Sequence, residues 1–283
     1  MVFFIPSFLQ LLLLIFAACI HAKKVSIIGA NGKTGRILVD LAAGKGFEVI
    51  AYTREGQLRT PLSPSLTNKV KVKSADVTRP ETIADLAGDA VFFCASASKE
   101  GGPPSAVDNA GLVNTAKACI QNNIPRLVVV SSGAVSKPFS PVFLFLNLFG
   151  GIMTQKAEGE KTIRELYAKA PEKLGYTLVR PGGLSLELPV GPENLEINQN
   201  DEKSGRISRY DVASVCLESL NAPSASRTTF ECYNKDTGKP LSSVFLFNLF
   251  NAKGESTGKG KYERQGSTWK ELFTGLVKDT DLK

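Results

Sequence analysis

The eight residues Gly29-Ala30-Asn31-Gly32-Lys33-Thr34-Gly35-Arg36 constrain this chain more than any other stretch. An apolar run, KVSII, leads into them and a helical pattern follows to about Ala43. Three glycines at a strand-to-helix turn do three things. The first permits the tight turn, the second lets a ligand approach the backbone, and the third lets helix and strand pack closely. The opening N–H groups of the helix and its positive dipole end then favour an anion, such as a diphosphate, over the turn.

Behind that turn, short apolar runs alternate with helical stretches. Strands are predicted at 24–29, 47–53, 70–74, 89–95, 126–132, 176–180 and 228–233. Helices are predicted to about 43, then at 80–86, 105–121, 150–170 and 210–220, with a short closing helix at 267–277. RLVVVSS at 126–132 has the β-branched content of a strand buried on both faces. Gly44 and Gly46 stop the first helix, and Pro80 suits a first helical turn. Trp269, Leu272, Phe273 and Leu276 recur at helical spacing, as a face docked on a core does. Residues 251–265 are polar and Gly/Lys-rich, the composition of a loop. The expectation is an α/β Rossmann fold: a doubly wound parallel sheet with helices on both faces. One domain covers 23–283, and its part from roughly 181 to 283 forms a small substrate side.

Residues 1–22 contain no Lys, Arg, Asp or Glu, and residues 9–20 are almost continuously apolar. That run is short for a bilayer span, and Ile20-His21-Ala22 offers a cleavage point, so a signal peptide is expected. His21 is the only histidine. A mature chain would have none, which excludes His-based triads and His metal ligands. All charged residues follow Ala22, so the mature domain keeps the net charge of +7. The excess is spread along the chain. It suits an anionic small ligand better than nucleic acid or a membrane surface, and no membrane span is expected in the mature chain. Cys94, Cys119, Cys216 and Cys232 lie in apolar patterns without metal-ligand spacing, so free thiols and no metal are expected.

Strand–turn–helix geometry with further βα units behind it identifies the glycine turn as a dinucleotide site. Gly29, Asn31, Gly32, Lys33, Thr34 and Gly35 are assigned to the cofactor. The second strand ends Tyr52-Thr53-Arg54, with no acid to take the ribose hydroxyls at that point. Arg54, with Lys33, suits a 2′-phosphate, so NADP (NADPH) is favoured over NAD. Glu55 is the contrary sign, and an Arg54–Glu55 surface pair the alternative. Asp76 and Val77 are placed to meet the adenine, with Asp76 equally suited to cap the turn near Pro80. Ala95 and Ser96 are small enough to line the path to the nicotinamide ribose.

Taken together, GANGKTGR at 29–36, ADVTRPETI at 75–83, RLVVVSSGAV at 126–135, LVRPGGL at 178–184 and GRISRYDVASVCLESL at 205–220 resemble the atypical short-chain dehydrogenase/reductase superfamily, in its NmrA-like NAD(P)-binding branch. The resemblance covers nearly all of the mature chain and extends to plant and algal plastid proteins. It implies a substrate cleft over the carboxyl edge of the sheet, with Pro181 and Gly182 approaching the nicotinamide side. It also implies a catalytic Tyr four residues before a Lys, and a Ser at the end of the fifth strand. Lys156 fits the lysine, but Ile152 stands where the tyrosine would be, and an aliphatic side chain moves no proton. Tyr167 lies too far along the same helix. Ser132 (or Ser131) and Lys156 remain as catalytic candidates, Lys156 also as a ribose ligand.

Two functions follow as expectations: an NADP-dependent oxidoreductase acting on a small molecule, and a non-catalytic NADPH-binding redox sensor or assembly protein with a protein partner; isomerase or lyase chemistry on the same fold stays open as a third. The leader directs the chain to the secretory pathway, with the endoplasmic reticulum or a complex plastid as destinations.

Overall fold

The computed structural model describes residues 23–241 and 261–282. The expected leader at 1–22 and residues 251–260 of the expected loop lie outside the described residues. In chain order the strands are β1 (Lys24–Ile28), β2 (Glu48–Thr53), β3 (Val70–Ser74), β4 (Ala90–Phe93), β5 (Arg126–Val130), β6 (Gly175–Pro181), β7 (Gly183–Ser185), β8 (Leu195–Asn198), β9 (Lys203–Ser204), β10 (Arg206–Ser208), β11 (Thr228–Asn234) and β12 (Lys239–Pro240). The helices are α1 (Lys33–Gly44), α2 (Leu112–Gln121), α3 (Pro141–Asn147), α4 (Ile152–Ala168), α5 (Arg209–Glu218) and α6 (Trp269–Phe273).

Eight strands make one sheet in the order β3-β2-β1-β4-β5-β6-β11-β8. Every neighbouring pair is parallel except β11 with β8. The strand order reverses between β1 and β4, the switch point at which an open α/β sheet leaves a crevice at its carboxyl edge. Two small pairs, β7 with β10 and β9 with β12, lie outside this sheet.

Period-two alternation along the strands fills both faces. Val25, Ile27, Phe92, Val128 and Val179 pack with Leu38, Val39 and Ala42 of α1 and Val212 and Val215 of α5. Ile28, Val91, Phe93, Leu127, Val129 and Leu178 pack with Leu112 and Ala116 of α2 and Ile163 and Tyr167 of α4. Burying one such aliphatic or aromatic side chain contributes about 1.5–3 kcal/mol. The sheet is thus a single doubly covered core and the chain a single Rossmann-like domain, as the sequence pattern predicts. Among the described residues, no helix is long and apolar enough to cross a membrane.

The structure departs from the sequence expectation in several places: besides the unexpected antiparallel edge strand β8 and the small pairs β7–β10 and β9–β12, four helical segments differ. Residues 80–86 form only a 3-10 turn, Pro80–Ile83. The Thr82 hydroxyl closes that turn on itself by donating its one hydrogen to the carbonyl of Asp76 or of Arg79, both 2.8 Å away, while accepting from the Asp76 N–H. The expected helix at 105–121 opens as a π-helix, Ser105–Gly111, before regular α2. Helix α3 was not expected, because PVFLFLN is apolar all round and shows no 3.6-residue period. Its start is nevertheless capped by Ser140, whose hydroxyl accepts from Phe143 N–H at 3.2 Å, with Pro141 following. The closing helix is only the short α6, docked through Phe273 on Phe230 with ring centroids 5.9 Å apart.

Candidate cofactor cleft

The glycine turn is built to backbone contact. Gly29 has φ +79°, and a Cβ there would lie 2.7 Å from the Ala95 nitrogen. A Cβ on Gly35 would overlap the Gly29 carbonyl oxygen. Gly32 caps α1 with no side chain, and no cap side-chain bond closes the opening of the helix among the described residues. A helix N-terminus kept clear of its own caps, at a crevice only glycine permits, fits a dinucleotide diphosphate.

A cleft of about 410 Å³ opens there. Gly29, Asn31 and Gly32 line it, with Thr53 and Arg54 from the end of β2, Asp76 and Val77 after β3, and Ala95 and Ser96 after β4. Thr34 and Gly35 are buried behind the turn and Lys33 is exposed on the first turn of α1. Pro181 and Gly182 lie at the end of β6 and do not line this cleft. The Gly182 N–H bonds the Cys232 carbonyl at 3.0 Å, and a Cβ on Gly182 would overlap the Gly205 carbonyl.

Arg54 and Glu55 do not pair with each other. The Arg54 guanidinium donates to the Glu100 carbonyl and lies 3.8 Å from the Glu100 carboxylate. Glu55 is bonded instead by Arg59, at 2.7 and 3.3 Å, which holds its carboxyl below the usual range. Arg59 also lines the cleft, and its N–H donates to the Asn31 side-chain oxygen at 3.0 Å. Sequence reasoning missed Arg59, although a second arginine five residues after Arg54 was its visible signal. Asp76 does not cap the Pro80 turn, whose cap residue is Arg79 without a side-chain bond. One carboxylate oxygen accepts from the Thr78 N–H at 3.0 Å and hydroxyl at 2.7 Å, bracing the turn, while the residue still lines the cleft. Its partial burial would raise its pKa, but the Thr78 bonds and nearby Arg79 lower it on balance.

Lys156 is not a solvated helix charge. Its ammonium sits 2.8 Å from Asp108, whose side chain is fully buried. Asp108 also accepts from the Ser96 hydroxyl and the Ala97 N–H, each at 2.8 Å. The π-helix turn thus presents one carboxylate to both the cleft loop and α4. Sequence reasoning missed Asp108, because an acid within a helical segment reads as solvent-facing. Ile152 opens α4 and packs partly buried against the cluster of Val142, Phe143 and Met153. Tyr167 is no substitute for a proton donor: it is buried edge-on to Tyr176, centroids 5.4 Å apart, and burial raises its hydroxyl pKa far above neutrality.

Ser132 is half-buried, its hydroxyl donating to the Gly133 carbonyl at 3.1 Å, whereas Ser131 is committed to Glu160 at 2.6 Å. Ser131 belongs to a buried ionic network under the carboxyl edge of the sheet. Arg180 bonds Glu160 at 2.6 and 3.2 Å and Glu231 at 3.2 Å, and lies 3.7 Å from Asp201. Asp201 accepts from the N–H groups of Ala134, at 2.6 Å, and Ser136, at 2.9 Å, fixing the loop after β5. Burial alone would raise Glu160, but Arg180, with Arg164, holds it down at about 2. Among the described residues, Cys94, Cys119, Cys216 and Cys232 are free thiols, and burial pushes each above its ordinary range, so none of these four is a ready nucleophile.

Comparison with known proteins agrees with this geometry. An uncharacterized chloroplastic protein of Arabidopsis thaliana is 34% identical over 213 residues, covering 71% of this chain and 73% of that protein. A solved Bacillus halodurans protein, described as a NAD-dependent epimerase/dehydratase, is 27% identical with a TM-score of 0.60, covering 78% of this chain and 97% of its own. A short-chain dehydrogenase/reductase from Veillonella parvula, solved in complex with NADP, shares the fold at 20% identity and a TM-score of 0.57, covering 79% and 99%. A family profile described as NAD(P)H-binding matches residues 29–223. Its span takes in the glycine turn, the cleft, Lys156 and Arg180, and the chain belongs to this NAD(P)H-binding family.

Proposed function

We propose that the protein is an NADPH-dependent oxidoreductase of the atypical short-chain dehydrogenase type, reducing a small organic substrate without the usual tyrosine. The observation that carries the cofactor choice is the convergence of Arg54 and Arg59 on one end of the cleft, while the nearby acid, Glu55, is already held by Arg59. Two guanidinium groups suit a ribose phosphate, which they bind by charge-assisted hydrogen bonds.

In this reading Gly29, Asn31, Gly32, Lys33, Thr34 and Gly35 hold the diphosphate. Thr53 and Arg54 hold the phosphorylated ribose, Asp76 and Val77 the adenine. Ala95 and Ser96 flank the path to the nicotinamide ribose, where Lys156 binds hydroxyls from its anchor on Asp108. Pro181 and Gly182 approach the nicotinamide side, and Ser132 bonds a substrate carbonyl. NADPH supplies the hydride when bound; the chain positions the reactants, and the proton comes from water or Ser132. The region from roughly 181 onward, with its two small strand pairs, forms the substrate side.

Calorimetry with NADPH and NADH tests the cofactor, and stopped-flow oxidation of bound NADPH against quinones, enals and ketones tests the chemistry. Tighter NADPH binding and turnover of any of these support the reading. Equal affinities, unchanged in Arg54→Ala, overturn the NADP preference. Ile152 favours a second reading, a NADPH-binding sensor or assembly protein: saturable binding, no turnover and a protein partner bound in one redox state would establish it. The apolar leader and the chloroplastic relative together support a plastid reached through the secretory pathway, which a fluorescent fusion of the full chain would locate.

A further inference from the structure

At the mouth of the cleft, the turn after β4 folds back between the two arginines. Ser98 and Gly102 close it as an isolated antiparallel bridge, and the Gly101 N–H bonds both the carbonyl and the hydroxyl of Ser98, at 3.1 and 2.9 Å. The turn carries Glu100 at its tip. The Glu100 carboxylate is 2.8 Å from Arg59 and 3.8 Å from Arg54, and the Glu100 carbonyl accepts from Arg54 as well. One acidic residue thus engages both cations of the proposed ribose-phosphate site.

We propose that Glu100 is the specificity-setting residue of this cleft: its carboxylate occupies the anion position between Arg54 and Arg59, and must leave when a phosphate-bearing ribose enters. The inference rests on the NADP reading above. A ribose phosphate carries more charge than a carboxylate and offers three acceptor oxygens, so it competes successfully for the same two guanidinium groups. A ribose with only hydroxyls makes no use of that anion position and leaves Glu100 where it is, so its affinity does not depend on the carboxylate. The side chain is about two-thirds exposed, 69%, and its pairs are of the weak, screened kind that a ligand can exchange. Glu100 therefore lowers affinity for the phosphorylated dinucleotide while keeping the arginines positioned for it.

The test is Glu100→Gln, which keeps the size of the side chain and the turn while removing the charge, with calorimetry using NADPH, NADH, 2′-AMP and 5′-AMP. NADPH and 2′-AMP should bind about three- to tenfold tighter than to wild type, the yield expected from losing one or two exposed competing pairs. NADH and 5′-AMP should change less than twofold. The gain should vanish in an Arg59→Gln background. Unchanged or weakened 2′-AMP binding in Glu100→Gln, in a protein whose wild type prefers NADPH, overturns the role of Glu100 alone. A wild type with no preference between 2′-AMP and 5′-AMP overturns both this inference and the NADP reading.

Discussion

The ammonium of Lys156 and the buried carboxylate of Asp108 meet at 2.8 Å, and that contact ties the N-terminal part of α4 to the loop that follows β4. The same carboxylate holds the Ser96 hydroxyl at 2.8 Å. The lysine that the proposed reading assigns to ribose hydroxyls is therefore fixed to the loop after β4, and its position is set with an aliphatic Ile152, not a tyrosine, four residues before it.

Removing one member of this pair should cost more than removing both. Lys156→Met leaves Asp108 buried with only neutral donors, a loss of about 3 kcal/mol by the usual cost of breaking a buried pair. Asp108→Asn in the Lys156→Met background should recover part of it, because no buried charge then remains. Urea unfolding of the two single variants and the double variant measures the coupling. Strict additivity would mean that the contact is incidental. NADPH binding should weaken at least tenfold in Lys156→Met, read by fluorescence titration.

Gly35→Ala should separate helix from strand. The new methyl would overlap the Gly29 carbonyl oxygen, which is backbone and cannot turn aside. Overpacking of this kind costs about 1–3 kcal/mol, and the displaced α1 should lose its aim at the diphosphate. The expected result is a lower urea midpoint with dinucleotide binding reduced beyond what the stability loss explains. A folded variant that binds like wild type would remove the diphosphate role from this turn.

Much of this was legible in the sequence because it depends on local pattern. Three glycines between KVSII and a helix place the crevice, and the alternation of apolar runs places the strands on both sides of it. What stayed hidden depends on long-range pairing. Asp108, Glu160 and Glu231 lie in segments where a carboxylate reads as solvent-facing, and each is buried by a cation far along the chain: Lys156 for Asp108, Arg180 for the other two. Helix α3 stayed hidden for the opposite reason, since PVFLFLN offers no polar face to set a period. Arg59 was visible, but nothing local shows that β2 and the turn after β4 bring it beside Glu100.

Arg180→Leu should be among the most destabilising single changes in the chain. It would leave Glu160, Glu231 and Asp201 buried near one another without the cation between them. Breaking a buried pair costs about 3–5 kcal/mol, and here one guanidinium serves three acids. Arg180→Lys should rescue little, because a single ammonium cannot reproduce the forked contacts to Glu160 and Glu231. Thermal melts of both variants decide it; a lysine variant as stable as wild type would show that charge alone, and not geometry, holds the network.

The same network predicts an unusual pH dependence. Burial, then the neighbouring Asp201 carboxylate, push Glu231 up to about 8 against the pull of Arg180. A folded-state pKa above the unfolded one means that the native protein binds the extra proton between about pH 4.5 and 8, so this group's stabilisation is complete at the acid end and is lost as pH rises through that window. Glu160 has the opposite sign: held at about 2, it stabilises above its unfolded pKa and loses that contribution as pH falls from about 4.5. Melting temperature should therefore decline from pH 5 to 8 as well as below pH 4. In Glu231→Gln the alkaline decline should flatten while the acid limb persists, whatever the overall change in stability. The slope is the diagnostic quantity, and an undiminished alkaline slope in the variant would show that Glu231 enters the fold already ionised.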